Sequence, residues 1–310
     1  LFRSLGYDDV VWLDLDFSHF SIFRGKKEIV GKDGESRVQF TSSKIDWSNE
    51  IGLIDFVRNS KLKAFLSTDI SSEDLTNRWA NCIAHGHEFV SDPVLLDIIR
   101  SFTTLQILSI KQESREKFQN LGKGNTAIFL SGKIPNLLQF RELLLSLIDG
   151  LELEGMFDIF LDSNCKVLTY TKSIVEREKS EDIVLFKGDI LPKVHRLVIP
   201  DISSKSINKV ILSGKIYSQV LEPKDIYSVG SQISVIKIPQ RDEKVLIEAE
   251  LRNGAVFSHI VNQNITFMSE KGSLEYESLI VDGRKRPIVY GPSSNENITK
   301  FRVWSNGDKG

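Results

Sequence analysis

The stretch Val10-Val11-Trp12-Leu13-Asp14-Leu15-Asp16-Phe17-Ser18-His19-Phe20-Ser21-Ile22-Phe23 decides how this chain is read. Val10 to Leu13 are β-formers in a short apolar run, Asp14 and Asp16 stand at its end, and Ile22 and Phe23 resume the β pattern before Gly25. The pattern predicts a buried strand that turns at a polar cluster and runs straight into a second strand. An aspartate closing a buried strand ahead of a small-residue hairpin is a common way of holding a metal-bound nucleotide, because backbone N–H groups can then cradle phosphate. Here the turn from Leu15 to His19 contains no glycine. It speaks for nucleotide-binding ancestry more than for present nucleotide chemistry.

Working outward, Ser36 to Ser42 alternates Val38 and Phe40 with polar residues and predicts a third antiparallel strand. Glu50 to Leu66 reads as a short amphipathic helix, and Ser71 to Asp74 supplies cap candidates and acidic first-turn residues for another helix over Ser72 to Ala84. Asp92-Pro93 opens the strongest helix, expected to reach Phe118, with a wide apolar stripe from Val94 to Leu108. Thr126 to Ser131 reads as a buried strand ending in Ser131-Gly132-Lys133, followed by a helix over Ile134 to Ile148 with Gly150 as its C′ residue. Met156 to Leu161 is a further strand closed by Asp162. Strand followed by helix points to a partly parallel sheet, whose ligands lie at the carboxyl ends of strands. Asp14 and the Ser131-Gly132-Lys133 turn would both stand at such an end.

The charged run from Glu176 to Asp182 marks a composition change. Beyond it, short apolar and polar alternations recur at Val194–Ile199, Lys209–Ile216, Ile233–Ile238, Val245–Leu251 and Leu279–Val281. These predict a small all-β barrel or sandwich. The expected organisation is an α/β domain over 1–185 with a mixed sheet and helices, a β-rich domain over 186–292, and a tail over 293–310 with a short helix near Ile298 to Trp304.

Composition narrows the functional classes. At 310 residues, 41% hydrophobic and 26% charged, the chain is an ordinary globular sequence. A net charge of −2 with interspersed signs gives no footprint for nucleic-acid binding. By sequence, no apolar run reaches the roughly 18–20 residues of a membrane span and no signal peptide opens the chain, so the expected setting is the cytoplasm. Cys82 and Cys165 form no spaced framework, which fits a reducing compartment. Beginning at Leu1 rather than Met, the chain is expected to be part of something longer.

Three clusters invite chemistry. Cys82, His85, His87 and Glu88 carry zinc-ligand chemistry, but the spacing supplies an incomplete site, and a helix end stopped by Gly86 accounts for them, so no metal is expected. A hydrolase would need a nucleophile and base; no G-x-S-x-G occurs, His19, His195 and His259 lie in unrelated contexts, and Ser18 beside His19 reads as a polar turn, so no catalytic residue is assigned. Arg284-Lys285-Arg286 before Pro287 offers Arg284 and Arg286 as partner or anion contacts, against a solvated turn stabilised by Asp282.

Taken in order, these pieces resemble the C-terminal half of the glutamate mutase accessory protein family, members of the actin-like ATPase superfamily thought to protect or reactivate adenosylcobalamin-dependent mutases. Asp14 to Ile22 looks like the family's Asp-x-Gly-Gly-x-Thr-Thr phosphate hairpin, Asn81 to Ile110 is similar to its helical subdomain, and Ile128 to Lys133 looks like its strand-to-glycine adenosine motif. Val281-Asp282-Gly283-Arg284-Lys285-Arg286-Pro287 is similar to the family's Asp-Ala-Arg-Gly-Arg-Pro segment and is the most specific match. The resemblance implies an actin-like, ribonuclease H-like half with the remnant of a nucleotide site at Asp14, Asp16, Ser18, Ser21, Ser131, Gly132 and Lys133.

The departures are informative. Asp16 and Phe17 stand where the family has two glycines, and Phe20 replaces a threonine hydroxyl. A carboxylate about 4 Å from a phosphate would repel it by roughly 1–4 kcal/mol, depending on the local dielectric. Lys133 replaces a glycine where adenine would pack, and no Asp-x-His-x-x-Gly cobalamin motif occurs. The expectation is a non-catalytic interaction or structural module with no cofactor, whose protein partner is its own missing N-terminal half or another subunit. The alternative is an ATP-dependent, magnesium-requiring accessory factor for such a mutase.

Overall fold

A computed structural model describes residues 6–17, 19–30, 35–46, 62, 65–66, 68–85, 92–113, 121–122, 124–162, 193–240, 244–258, 263–270 and 274–285. The opening hairpin forms as the alternation predicts. β1 (Asp9–Leu15) pairs antiparallel with β2 (His19–Val30), which pairs in turn with β3 (Glu35–Asp46). Two helices follow. The amide of Asp74 donates to Ser71 Oγ at 3.0 Å and caps α1 (Ser72–His85). Asp92 caps α2 (Pro93–Glu113), its Oδ1 accepting from the Val94 amide at 2.9 Å.

β4 (Thr126–Ser131) occupies the predicted positions. The single helix expected over Ile134 to Ile148 is instead two, α3 (Ile134–Leu137) and α4 (Phe140–Leu151). The break has a local cause: Leu138 is extended, and the amide of Gln139 donates to Glu142 Oε2 at 3.3 Å, opening the second helix with a Gln-x-x-Glu cap. Gly150 is not the C′ residue; it lies inside α4, and Glu152 takes the left-handed conformation at φ 50°. Its role is packing, since a Cβ there would stand 2.6 Å from Ile107 Cβ of α2.

The later strands are β5 (Gly155–Leu161), β6 (Lys193–Ile199), β7 (Asp201–Ile202), β8 (Val210–Ser218), β9 (Lys224–Val229), β10 (Ile233–Lys237), β11 (Lys244–Leu251), β12 (Ala255–Val256), β13 (Asn264–Glu270) and β14 (Tyr276–Asp282). The fold is mixed α/β. Among the described residues, eight strands form one sheet in the order β10-β14-β6-β5-β4-β1-β2-β3, with β1, β4 and β5 parallel to one another. Of the strands expected in the later β-rich region, β6, β10 and β14 lie in this large sheet. Their composition allows it: β14 is buried on both faces from Ser278 to Asp282. A separate antiparallel sheet, β13-β11-β8-β9, takes most of the rest.

Strand alternation divides the core into two. Val11, Leu13, Ile128, Leu130 and Ile159 face α2 and α4 through Ile98, Phe102, Leu144 and Ile148. Val10, Phe129, Phe160 and Val198 face the four-stranded sheet through Ile211, Ile216, Ile247 and Phe267. The described molecule is thus layered as helices, large sheet, small sheet.

Part of the buried polar chemistry is paired, while the Trp79 indole N–H and the Gln106 amide in the helical layer make no hydrogen bond among the described residues. Between the sheets, Asp158 accepts from Tyr7 Oη at 2.6 Å, Tyr276 Oη at 2.8 Å and Arg196 Nε at 2.6 Å. The Arg196 guanidinium lies 4.7 Å from the Phe267 ring centroid and 4.9 Å from that of Tyr276. Contrary to the sequence reading, one helix among the described residues, α2 at 21 residues, is by length and composition long and apolar enough to cross a membrane. It is 72% buried over its most apolar window, packed inside the fold. Its buried hydroxyls bond back to the helix, Ser101 Oγ to Asp97 O and Thr103 Oγ1 to Ile99 O, each at 2.8 Å.

Candidate functional site

The parallel pairing of β1 with β4 and of β4 with β5 brings three strand ends together. Asp14 and Ser131 are register partners, Ser21 of β2 is the partner of Asp14 on its other side, and Asp162 follows the last residue of β5. Alternation points Asp14, Ser21 and Ser131 to the same face as Val10 and Phe129. A polar row therefore crosses the carboxyl ends of β1, β4 and β5 and the amino end of β2. Such an end is where open α/β sheets hold ligands.

Its members bind one another. The Asp14 carboxylate lies 3.1 Å from His19 Nε2, an ion pair when the imidazole is protonated. Ser131 Oγ, buried, donates to Asp162 Oδ2 at 3.3 Å. Asp162 holds its place through its own amide, which donates to the Leu130 carbonyl at 2.8 Å.

The hairpin tip is closed in the same way. The Asp16 amide donates to the His19 carbonyl at 3.1 Å across the turn. The Asp16 carboxylate, 12% exposed, lies 3.7 Å from Lys133 Nζ, on a side chain 76% exposed. Phe17 turns inward, its ring centroid 6.2 Å from that of the fully buried Trp79 in α1, and Trp79 sits 4.4 Å from Phe102 in α2. Asp16 and Phe17 at the hairpin tip thus hold a salt bridge and an aromatic contact.

Gly132 is fixed by geometry. At φ +100° it adopts a conformation that suits glycine, and a Cβ there would fall 2.3 Å from the Leu15 carbonyl oxygen. The turn after β4 therefore rests directly on the end of β1, which is what brings Lys133 over Asp16.

Of the residues singled out by sequence, Asp14, Asp16, Ser21, Ser131, Gly132 and Lys133 gather at this one end of the sheet. Ser18 and Arg286 lie outside the described residues, as do His87 and Glu88 of the candidate metal cluster. Arg284 is elsewhere and interior: it is 2% exposed. Its Nη2 donates to Asp149 Oδ1 at 2.8 Å and its Nε to Asp282 Oδ1 at 2.9 Å, tying the end of α4 to the end of β14. Burial alone would lower the guanidinium pKa, but the two carboxylates overcome this and raise it. A solvated turn fits the exposed Lys285 and not Arg284.

Two contributors escaped the site list drawn from sequence. His19 reads as a turn residue until the hairpin register sets it beside Asp14, and Asp162 carries only the weak signal of an aspartate closing a strand. No protein-family model matches the chain, and a search of curated proteins gives no match either.

Proposed function

We propose that this chain is a non-catalytic interaction or structural module of the cytoplasm, built on an actin-like nucleotide-binding half-fold whose phosphate site is closed from within. The observation that carries this reading is the packing of Phe17 against Trp79, with Asp16 held toward Lys133 beside it. Phosphate entering the hairpin would meet a carboxylate and displace a ring from the core. The actin-like reading draws support from the order β3-β2-β1-β4-β5, three antiparallel strands extended by two parallel ones. The implied partner is a protein, either the other half of a two-lobed fold or a separate subunit.

A second reading keeps the nucleotide. The row of Asp14 and Ser131 at parallel strand ends, with Gly132 seated on Leu15, favours an ATP-dependent accessory or reactivating factor for an adenosylcobalamin-dependent mutase. In it Asp14 is the metal-side carboxylate, Ser18 and Ser21 are phosphate donors, Gly132 meets the adenosine, and a partner domain completes the cleft.

Thermal unfolding with and without millimolar Mg-ATP separates the two. A ligand at about 100 times its Kd stabilises the native state by about 2.7 kcal/mol, a shift of several degrees. The interaction-module reading expects an unchanged midpoint, and a rise of several degrees would move the reactivating factor to the front.

A further inference from the structure

The outer face of the four-stranded sheet, turned away from the large sheet, is concave and holds a cavity of about 770 Å³ over β8, β9, β11 and β13. Gly214 marks a close approach of two strands within this sheet. A Cβ at this position would lie 2.1 Å from the Glu248 carbonyl oxygen, so β8 approaches β11 more closely than any side chain would permit.

Register sets out what the face displays. Its central row is Asp225, Lys215, Glu248 and Thr266, one residue from each strand. On one side of that row stands Tyr227, facing Ser213 across the strand pair, with Glu250 and Asn264 continuing the line. On the other stands Tyr217. Tyr227 is 68% exposed and Tyr217 36%, an unusual outlay of aromatic surface in water. Ser213 and Tyr217 are four residues apart on β8, so the two rings bracket a span of roughly 13 Å along the strands.

The charges on the face are compensated. Lys215 Nζ is 3.7 Å from Asp225 Oδ1, and Arg252 is hydrogen-bonded to Glu250. Three carboxylates meet two cations, which disfavours a phosphate-bearing or otherwise strongly anionic ligand. What the cavity offers is flat apolar rings at two ends and carboxylate, amide and hydroxyl groups between them, the combination that grips a ligand with apolar C–H faces and a rim of hydroxyls.

We propose that this concave face binds a neutral oligosaccharide. One tyrosine ring stacks on a sugar ring near β9, the other on a sugar farther along the chain, Glu248 and Thr266 take hydroxyl groups between them, and Glu250 and Asn264 take those level with Tyr227. The separation of the rings selects a chain of several sugars over a monosaccharide. The site stands apart from the polar row at the ends of β1, β4 and β5 and does not depend on the function proposed for it.

The test is calorimetric titration of the full chain with five neutral hexasaccharides: β-1,4-glucan, chitin, xylan, mannan and α-1,4-glucan fragments. The expected result is binding of at least one in or below the millimolar range, weakened about tenfold by Tyr227→Ala, retained by Tyr227→Phe, and lost in the Tyr217→Ala, Tyr227→Ala double variant. Because both rings are exposed, the thermal midpoint of each variant should match the parent, which separates lost binding from lost fold. Absence of heat with all five sugars overturns the proposal. So does unchanged affinity in the double variant, or binding of an oligolysine peptide that Tyr227→Ala abolishes in place of sugar binding.

Discussion

Asp14 and Ser131 stand side by side as register partners at the carboxyl ends of β1 and β4, and each is engaged by a neighbour from its own chain, Asp14 by His19 and Ser131 by Asp162. The end of the sheet that would face a ligand is therefore held together by its own polar groups. Gly132, next in the chain after Ser131, is seated on the backbone of Leu15, next after Asp14. Gly132→Ala combines a strained φ with a backbone clash and should cost about 1–3 kcal/mol, measured by urea denaturation. Gly124→Ala is the control: it has an ordinary φ, and its Cβ would meet only the Asp8 side chain, at 3.3 Å.

Gly150→Ala should invert the usual sign. In an exposed helix the change gains up to about 1 kcal/mol, yet here the new methyl would meet Ile107 Cβ at 2.6 Å and force α2 from α4. A net loss of about 1–3 kcal/mol is expected from overpacking. Pairing it with Ile107→Ala should recover part of the loss, and a double-mutant cycle reads the coupling.

Arg284→Ala should unfold or severely destabilise the protein, by about 3–5 kcal/mol, because it removes the guanidinium that pairs with the buried carboxylates of Asp149 and Asp282. Chemical denaturation of Arg284→Ala beside Lys285→Ala measures this. The exposed Lys285 should change stability by no more than about 0.5 kcal/mol. A well-folded Arg284→Ala would show that the buried clasp between α4 and β14 is dispensable.

Burial, with Asp158 adding to it, raises the pKa of both Tyr7 and Tyr276 above the ordinary value of 10.0. For an acid with a raised folded pKa, the unfolded chain loses its proton first. Stability contributed by these tyrosines is complete below about pH 10 and falls as pH rises beyond it. Ultraviolet titration should leave at least two of the six tyrosines un-ionised until the chain unfolds in alkali. Tyr7→Phe should flatten the decline and reduce stability at neutral pH by about 1–3 kcal/mol, since Asp158 loses one donor.

The legible parts of this fold were those with strong local chemistry. The β1–β2 hairpin, the Asp92-Pro93 helix start and β4 follow from alternation, capping and an apolar run, and all three appear where those signals fall. What local pattern could not carry was partnership. β6 and β14 read as strands, but nothing in Val194–Ile199 or Leu279–Val281 says that they extend the sheet begun by β1, because sheet membership is set by long-range register. β9 and β13 escaped because the outward-facing Tyr227 and Met268 put large apolar residues where the alternation of a half-buried strand calls for polar ones. At the site, Asp14, Ser131 and Gly132 were readable as strand-end residues, whereas the pairing of Asp14 with His19 needed the hairpin register.

The most direct test of a phosphate site closed from within is calorimetric titration with Mg-ATP and Mg-ADP of the parent chain beside the Asp16→Gly, Phe17→Gly double variant. The parent should give no binding heat, whether or not the variant, freed of its carboxylate and its Trp79 contact, gains any. Micromolar binding by the parent would contradict the account and establish a working nucleotide site at the ends of β1 and β4.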